Sequence, residues 1–537
     1  MDVVRRVYLY VIAAASLGML VVGLCNLGAS LVDLASGSAV ERSVRESVAT
    51  AGALILVGLP IWAFHWTIAN RAARSNSADR GSALRRLYLY GTAGALLIAF
   101  ATLGSLVLEQ LLNALARTEA RWDGIATLRH LWQAGVAAAF WGYQLRCAAT
   151  DRAEAGETGA SATLRRWYAY LVQFAALLTL LFASRELLRS IALYLIDRDQ
   201  FVREATTLAT IARLLIALVI WVIHQRWTAG GKVGADDRPS TLRAVYGFVV
   251  LGLSVCLTLV DTSQVLYYAL ARALGVARPG GIEGDITRAL VNPATTIVVF
   301  GIAWALMRHR LARDAAEATA GGLAPEQTRQ VGVRRLYTHL VSLVALGTLA
   351  AGLTGVLWTV SDRLLDVQAA TPDAWRDQIS LSITLIVVGL VAWLGHWRPA
   401  GAPDERLALS RRLYLFAALL AAVLGLLGSG ATLVYTLLGQ LIAVPGASTA
   451  TMGRALAANL IAAGIGAYHW RVLHEDLAVR RAQTDAEEGL DRAQPTAESL
   501  IVEIVGASEA EVRLALAQLP EDASYSLRAL DLTAGAD

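Results

Sequence analysis

The chain is almost without lysine: of the 47 basic residues in its 537, only Lys232 is not arginine. So lopsided a choice reads as a genome-wide bias toward arginine codons, not as a binding signal. Cysteine is nearly as scarce, and Cys25, Cys147 and Cys256 lie in or beside apolar runs with neither a CxxC pair nor a ligand spacing. A disulfide framework and a thiolate metal site are thereby excluded. Charge of either sign is low, at 17% of residues against about 25% in a typical globular protein. With 56% apolar residues and a mean hydropathy of +0.51, this excludes a disordered chain, a nucleic-acid binder and an ordinary soluble enzyme. The bilayer is the expected solvent.

Catalytic fingerprints are missing too. No P-loop, GxSxG, HExxH or dinucleotide motif stands in a supporting context, so no catalytic residue, metal or cofactor is assigned. The net charge of +4 is read as loop charge that orients a membrane protein.

What the sequence does contain is a repeat. Arg5-Arg6-Val7-Tyr8-Leu9-Tyr10 recurs as Arg85-Arg86-Leu87-Tyr88-Leu89-Tyr90 and Arg165-Arg166-Trp167-Tyr168-Ala169-Tyr170. Looser forms begin at Arg243, Arg334 and Arg411, so the motif tyrosines Tyr8, Tyr88, Tyr168, Tyr246, Tyr337 and Tyr414 recur at a nearly even interval. Each repeat holds two apolar stretches of roughly the 20 residues that carry a helix across about 30 Å of hydrocarbon. In lipid only helices or closed barrels satisfy the backbone, and the ~10-residue alternation of barrel strands is absent. The expected fold is therefore an all-α integral membrane protein of about twelve transmembrane helices in six two-helix repeats, plus a small C-terminal α/β element. The repeats fall at 1–76, 77–155, 156–235, 236–320, 321–402 and 403–482, and the tail at 483–537.

A second signature closes each repeat: Trp62-Ala63-Phe64-His65-Trp66 in the first and Trp393-Leu394-Gly395-His396-Trp397 in the fifth. The third and sixth keep His224 and His469, whereas Gln144 and Met307 take that position in the second and fourth. The joints between repeats carry 25 Arg/Lys against 12 Asp/Glu, and the loops within repeats carry 13 of each. By the positive-inside rule the joints and both termini are cytoplasmic, in a bacterial inner membrane. Arg5, Arg6, Arg85 and Arg86 then belong at the inner-leaflet headgroups, with Tyr8, Tyr88, Trp62, His65, Trp66, Trp393, His396 and Trp397 in the interfacial belt. The histidines are expected to cap helix carbonyls. Haem ligation by His65, His224, His396 and His469 is the weaker alternative.

Ionisable residues inside the spans are the other candidates, since burying charge in a membrane is expensive. Asp261 lies about 22 Å along its helix from the motif tyrosine Tyr246. Arg185, Glu186 and Glu109 lie deeper in theirs, and an Arg185–Asp261 pair is expected. Such a cluster is either a substrate or proton site or interhelical glue. Pro60 is expected to break its helix and Pro293 to start one.

The tail reads as a strand over residues 499–505, a helix opened by a Ser508-Glu509-Ala510-Glu511 capping box, and a strand over residues 525–530. Its size suggests docking on a partner or on a copy of itself. The repeated Arg-Arg-x-Tyr-x-Tyr start with a Trp-x-x-His-Trp end resembles an uncharacterised bacterial membrane domain of unknown function that occurs in tandem, over residues 5 to about 474. The resemblance implies a multi-spanning inner-membrane protein without assigned chemistry. The expected function is a non-enzymatic membrane scaffold or sensor. The alternative is a transporter with a polar site near Asp261 and Arg185. Expected partners are the bilayer, a second copy, or a cytoplasmic protein met by the tail; nucleic acid is not among them.

Overall fold

A computed structural model describes residues 3–37, 41–116, 122–196, 204–230, 233–234, 237, 240–281, 286–320, 324–365, 373–398, 403–442, 444, 448–493 and 508–516. The regular elements among them are all helical. Long runs of Ala, Leu and Val keep each span helical, because a backbone group left unpaired in hydrocarbon costs several kcal/mol. Repeat 1 holds α1 (Val3–Ser36) and α2 (Glu41–Ser75), followed by the short α3 (Ser77–Arg80). Repeat 2 holds α4 (Ala83–Ala116) and α5 (Gly124–Ala155), and repeat 3 holds α6 (Gly159–Ile196) and α7 (Glu204–Ala229). Repeat 4 holds α8 (Thr241–Ala273) and α9 (Ile286–Ala320), and repeat 5 holds α10 (Ala324–Leu364) and α11 (Ala374–His396). After the short α12 (Pro403–Arg406), repeat 6 holds α13 (Leu409–Leu441) and α14 (Thr449–Ala493).

Ten helices among the described residues are long and apolar enough to cross a membrane, where the sequence suggested twelve. The two that differ are α5 and α14. Both are long, but polar residues such as Arg129, His130, Gln133 and Gln144 dilute α5, and Arg454, Asn459 and His469 dilute α14. The outer faces agree with a lipid solvent. Leu56 is 77% exposed, Ile98 71% and Leu115 80%, in a density of bare aliphatic side chains foreign to soluble monomers.

Neither proline acts as expected. Pro60 lies inside a continuous α2, and α9 begins at Ile286, two turns before Pro293. Helices in a membrane tolerate interior proline because neighbouring groups take up the freed carbonyl.

Residues 1–476 form one compact unit and residues 477–537 a second. Within the first, the two helices of each of repeats 1 to 5 pack along their length, and the first helix of repeats 1 to 4 also packs on both helices of the next. The result is a serial array in which neighbours hold neighbours. Small residues let backbones approach: Ala13, Ala51, Ala69, Ala93, Ala169 and Ala212 are fully buried. The approach is closest where glycines face a helix. A Cβ on Gly58 would lie 2.9 Å from the Leu20 nitrogen, and one on Gly389 2.6 Å from the Leu349 nitrogen. Leu20 and Leu349 hold the same register when counted from Tyr8 and Tyr337, so repeats 1 and 5 share one helix crossing.

In the second unit the described tail residues form α15 (Glu509–Leu516). Glu511 accepts from the Ser508 backbone N–H at 2.8 Å, the return bond of a capping box, and from the Ser508 hydroxyl at 2.7 Å. Both expected strands fall outside the described residues.

Candidate functional site: the Arg, Tyr, Trp and His network

The Arg-Arg-x-Tyr motif opens the first helix of a repeat, and the Trp-x-x-His signature lies toward the end of the second, so antiparallel packing brings the two to one level. There Arg85, Arg86, Arg165 and Arg411 turn inward, whereas Arg5 and Arg334 stay exposed. Arg86 is 0% exposed, and Arg85, Arg165 and Arg411 are 2–3% exposed, whereas the sequence placed the motif arginines at lipid headgroups. Each has found an aspartate that the sequence reading did not single out.

Arg85 Nε donates to Asp151 at 2.6 Å, and Arg411 Nε to Asp476 at 2.6 Å. Arg243 bridges Asp314 through two bonds of 2.8 and 2.9 Å. These three aspartates stand seven residues past the His position of repeats 2, 4 and 6. In repeats 1 and 3 the partner comes from the joint that follows the second helix. Arg6 binds Asp79 at 2.7 Å, and Asp237 takes two bonds from Arg165, at 2.7 and 2.8 Å, and one from Arg166 at 2.9 Å. A buried guanidinium is tolerated in such a place when its charge is matched, although Arg85 Nη1 and Arg86 Nε are buried without a hydrogen-bond partner among the described residues.

The histidines follow one geometry. In His65, His224, His396 and His469, Nδ1 meets the carbonyl four residues back, at 2.8–2.9 Å. A carbonyl only accepts, so Nδ1 carries the proton and Nε2 is left as an acceptor. The motif tyrosine of the same repeat donates to it: Tyr8 to His65 at 3.3 Å, Tyr168 to His224 at 3.3 Å and Tyr414 to His469 at 3.0 Å. Gln144 takes the same place, 3.3 Å from the Tyr88 hydroxyl. In repeat 5 the rings of Tyr337 and His396 meet edge to face, 6.1 Å between centroids.

Tryptophan joins one repeat to the next. Trp62, Trp141 and Trp393, each three residues before the His position, donate to Tyr88, Tyr168 and Tyr414 of the following repeat at 3.0–3.1 Å. In repeat 6 that position is Gly466. A second tryptophan, one residue past the histidine, does the same between repeats 1 and 2 and between repeats 5 and 6. Trp66 donates to Tyr143 at 2.6 Å and Trp397 to Tyr468 at 2.8 Å. Above these rings lie Arg85, 5.0 Å from Trp66, and Arg411, 4.8 Å from Trp397, in cation–π contact.

Other polar contacts lie away from this level. Arg185 donates to Thr296 at 2.8 Å and also bonds Asn292. Asp261 is half-buried on α8 and also bonds Thr296. Arg185 and Asp261 are thus brought together through a shared hydroxyl, and no direct ion pair joins them among the described residues. Glu186 pairs with Arg189 at 2.5 Å and lines a cavity of 170 Å³ with Thr210 and Arg213. Glu109, half-buried on α4, belongs to neither cluster. Among the described residues no group of three or more His, Cys, Asp or Glu could hold a metal ion.

One regularity in the sequence could have exposed the partners: in the even repeats an aspartate always stands seven residues past the His position. No curated protein and no solved structure matches the chain. Family matching finds three tandem copies of one domain, at residues 6–143, 166–292 and 335–468. The outer matches each span two of the two-helix repeats, and the middle one stops at Asn292, early in α9 and short of Met307, where repeat 4 departs from the histidine pattern. The chain therefore belongs to the family described as Domain of unknown function (DUF5671).

Proposed function

We propose that the protein is a non-enzymatic scaffold or sensor of the bacterial inner membrane, with its repeat joints and both termini in the cytoplasm. One observation carries this reading: the motif side chains that look chemical are engaged with one another. The arginines neutralise aspartates, the histidines hold tyrosines, and the tryptophans reach across repeats. Haem ligation would require the Tyr–His bonds to be given up. A rigid array of this kind suits a fixed platform for the C-terminal segment, which would meet a cytoplasmic partner.

A second reading rests on Arg185 and Asp261, which share Thr296 at a depth where charge is costly. It makes the protein a transporter. Proteoliposomes loaded with a pH-sensitive dye separate the two. Under the scaffold reading, vesicles holding the wild-type protein conduct protons no faster than those holding Asp261→Asn. A proton flux carried by the wild type and lost in the variant would replace scaffold with transport.

A further inference from the structure

Copies 1 and 3 of the domain are built on the same frame, yet they differ at the end of the helices opposite the Arg–Asp level. In copy 1, α1, α2 and α5 enclose an open cleft of 640 Å³ whose lining includes Asn26, Asp33, Glu46, Arg129, His130 and Gln133. Arg129 binds Asp33 at 3.0 Å. The frame is rigid there, because the Trp132 indole sits against Gly28, where no Cβ fits, and donates to the Leu24 carbonyl at 2.9 Å.

Copy 3 keeps the ion pair and loses the rest. Asp362 and Arg454 occupy the registers of Asp33 and Arg129, counted from the motif tyrosine and from the His position respectively, and pair at 2.7 Å. At the register of Ala29 stands Trp358, whose indole donates to the Arg454 carbonyl at 2.7 Å. His130 and Gln133 become Ala455 and Ala458, and Asn26 becomes Gly355. The pair, with the Trp358 bond beside it, therefore suffices to clasp the helices. The polar groups of copy 1 exceed that need, and the His130 Nδ1 is buried without a hydrogen-bond partner. The His130 ring lines the cleft, and a turn of that ring would bring its unbonded nitrogen to a ligand able to satisfy it.

We propose that the copy 1 cleft binds a small zwitterion carrying an ammonium and a phosphate or carboxylate a few bonds apart. The ammonium faces Asp33 and Glu46, the anionic group faces Arg129 and His130, and the amides of Asn26 and Gln133 complete the shell. The same chemistry comes from a free solute or from the headgroup of an ethanolamine phospholipid. The site does not depend on whether the protein scaffolds or transports.

Two arms test it on the full-length purified protein. In one, phosphoethanolamine is titrated calorimetrically into detergent-solubilised protein. In the other, native mass spectrometry counts phosphatidylethanolamine retained from nanodiscs containing it. Each arm uses the wild type, Ala29→Trp, which installs the copy 3 tryptophan, and the double variant His130→Ala, Gln133→Ala, which installs its alanines. Saturable binding or retention is expected in at least one arm, weakened at least tenfold by the double variant and by Ala29→Trp where it folds. Binding in the first arm identifies a free solute, and retention in the second alone identifies a lipid headgroup. No saturable binding in either arm, or a double variant that binds like the wild type, overturns the proposal.

Discussion

The outer copies of the domain and the middle one run the same six-residue motif through different machinery. In copies 1 and 3 a tryptophan follows the histidine, lies under an arginine and donates to a tyrosine of the next repeat. In the middle copy that tryptophan is Gln225 and the tyrosine is Leu306; Gln225 instead accepts from Arg310 at 3.0 Å. The even-repeat ion pair is correspondingly more open, with Arg243 and Asp314 at 11% and 18% side-chain exposure against 2–8% for Arg85–Asp151 and Arg411–Asp476. The distal Asp–Arg clasp is absent as well, since Leu193 and Asn292 hold those positions, and Arg185 reaches Asn292 from a site nearer the membrane centre. The comparison teaches that the ion pair is the common element, and that the aromatic layer decides how dry it is.

The comparison can be broken at the pair itself. Asp151→Ala leaves Arg85 buried without its main counter-charge, and loss of about 3–5 kcal/mol is expected, as for other broken buried pairs. Asp314→Ala in the middle copy should lose only about 1 kcal/mol, because its arginine reaches solvent. Unfolding in nanodiscs with denaturant measures both, and equal losses would remove the distinction. Next in size are the glycine crossings: Gly58→Ala and Gly389→Ala force helices apart and should lose about 1–3 kcal/mol each, although repeat 3 carries Ala217 at the same register.

The aromatic layer comes third. Trp397→Phe removes the bond to Tyr468 and weakens the contact with Arg411, together about 1–2 kcal/mol. The reverse exchange sharpens the contrast: Gln225→Trp with Leu306→Tyr should raise the apparent Tm by dressing the middle copy like its neighbours. The smallest effect is expected at the clasp of copy 3. Arg454 is 46% exposed and Asp362 27%, so Asp362→Asn should change stability by under about 1 kcal/mol.

The helices and the sixfold repeat were legible because apolar runs and a motif recurring at a nearly even interval need no knowledge of contacts. The grouping into four-helix copies was hidden, since the arginine motif marks every two-helix repeat alike. Trp66 with Tyr143, and Trp397 with Tyr468, carry the longer period, but only contact shows that they belong together. The aspartates were missed for a similar reason. Asp79 and Asp237 stand in joints that read as loop charge, far along the chain from their arginines. Charge counting assigned those joints a side of the membrane and could not see that part of the charge was internally neutralised. Asp261 was singled out for its depth along its helix, while Thr296, which lies beside it and Arg185, is an ordinary residue of an apolar run. The copy 1 cleft had no motif at all and emerges only when Ala29 is set beside Trp358.

The central claim is that a buried Arg–Asp pair, set in its aromatic layer, locks the two helices of a repeat together. A double-mutant cycle on Arg411→Met and Asp476→Leu, followed by denaturant unfolding in nanodiscs, tests it most directly. The account predicts a loss of about 3–5 kcal/mol for each single change and recovery of most of that loss when both are made, since an apolar pair leaves no charge stranded. Small single effects that simply add would contradict it.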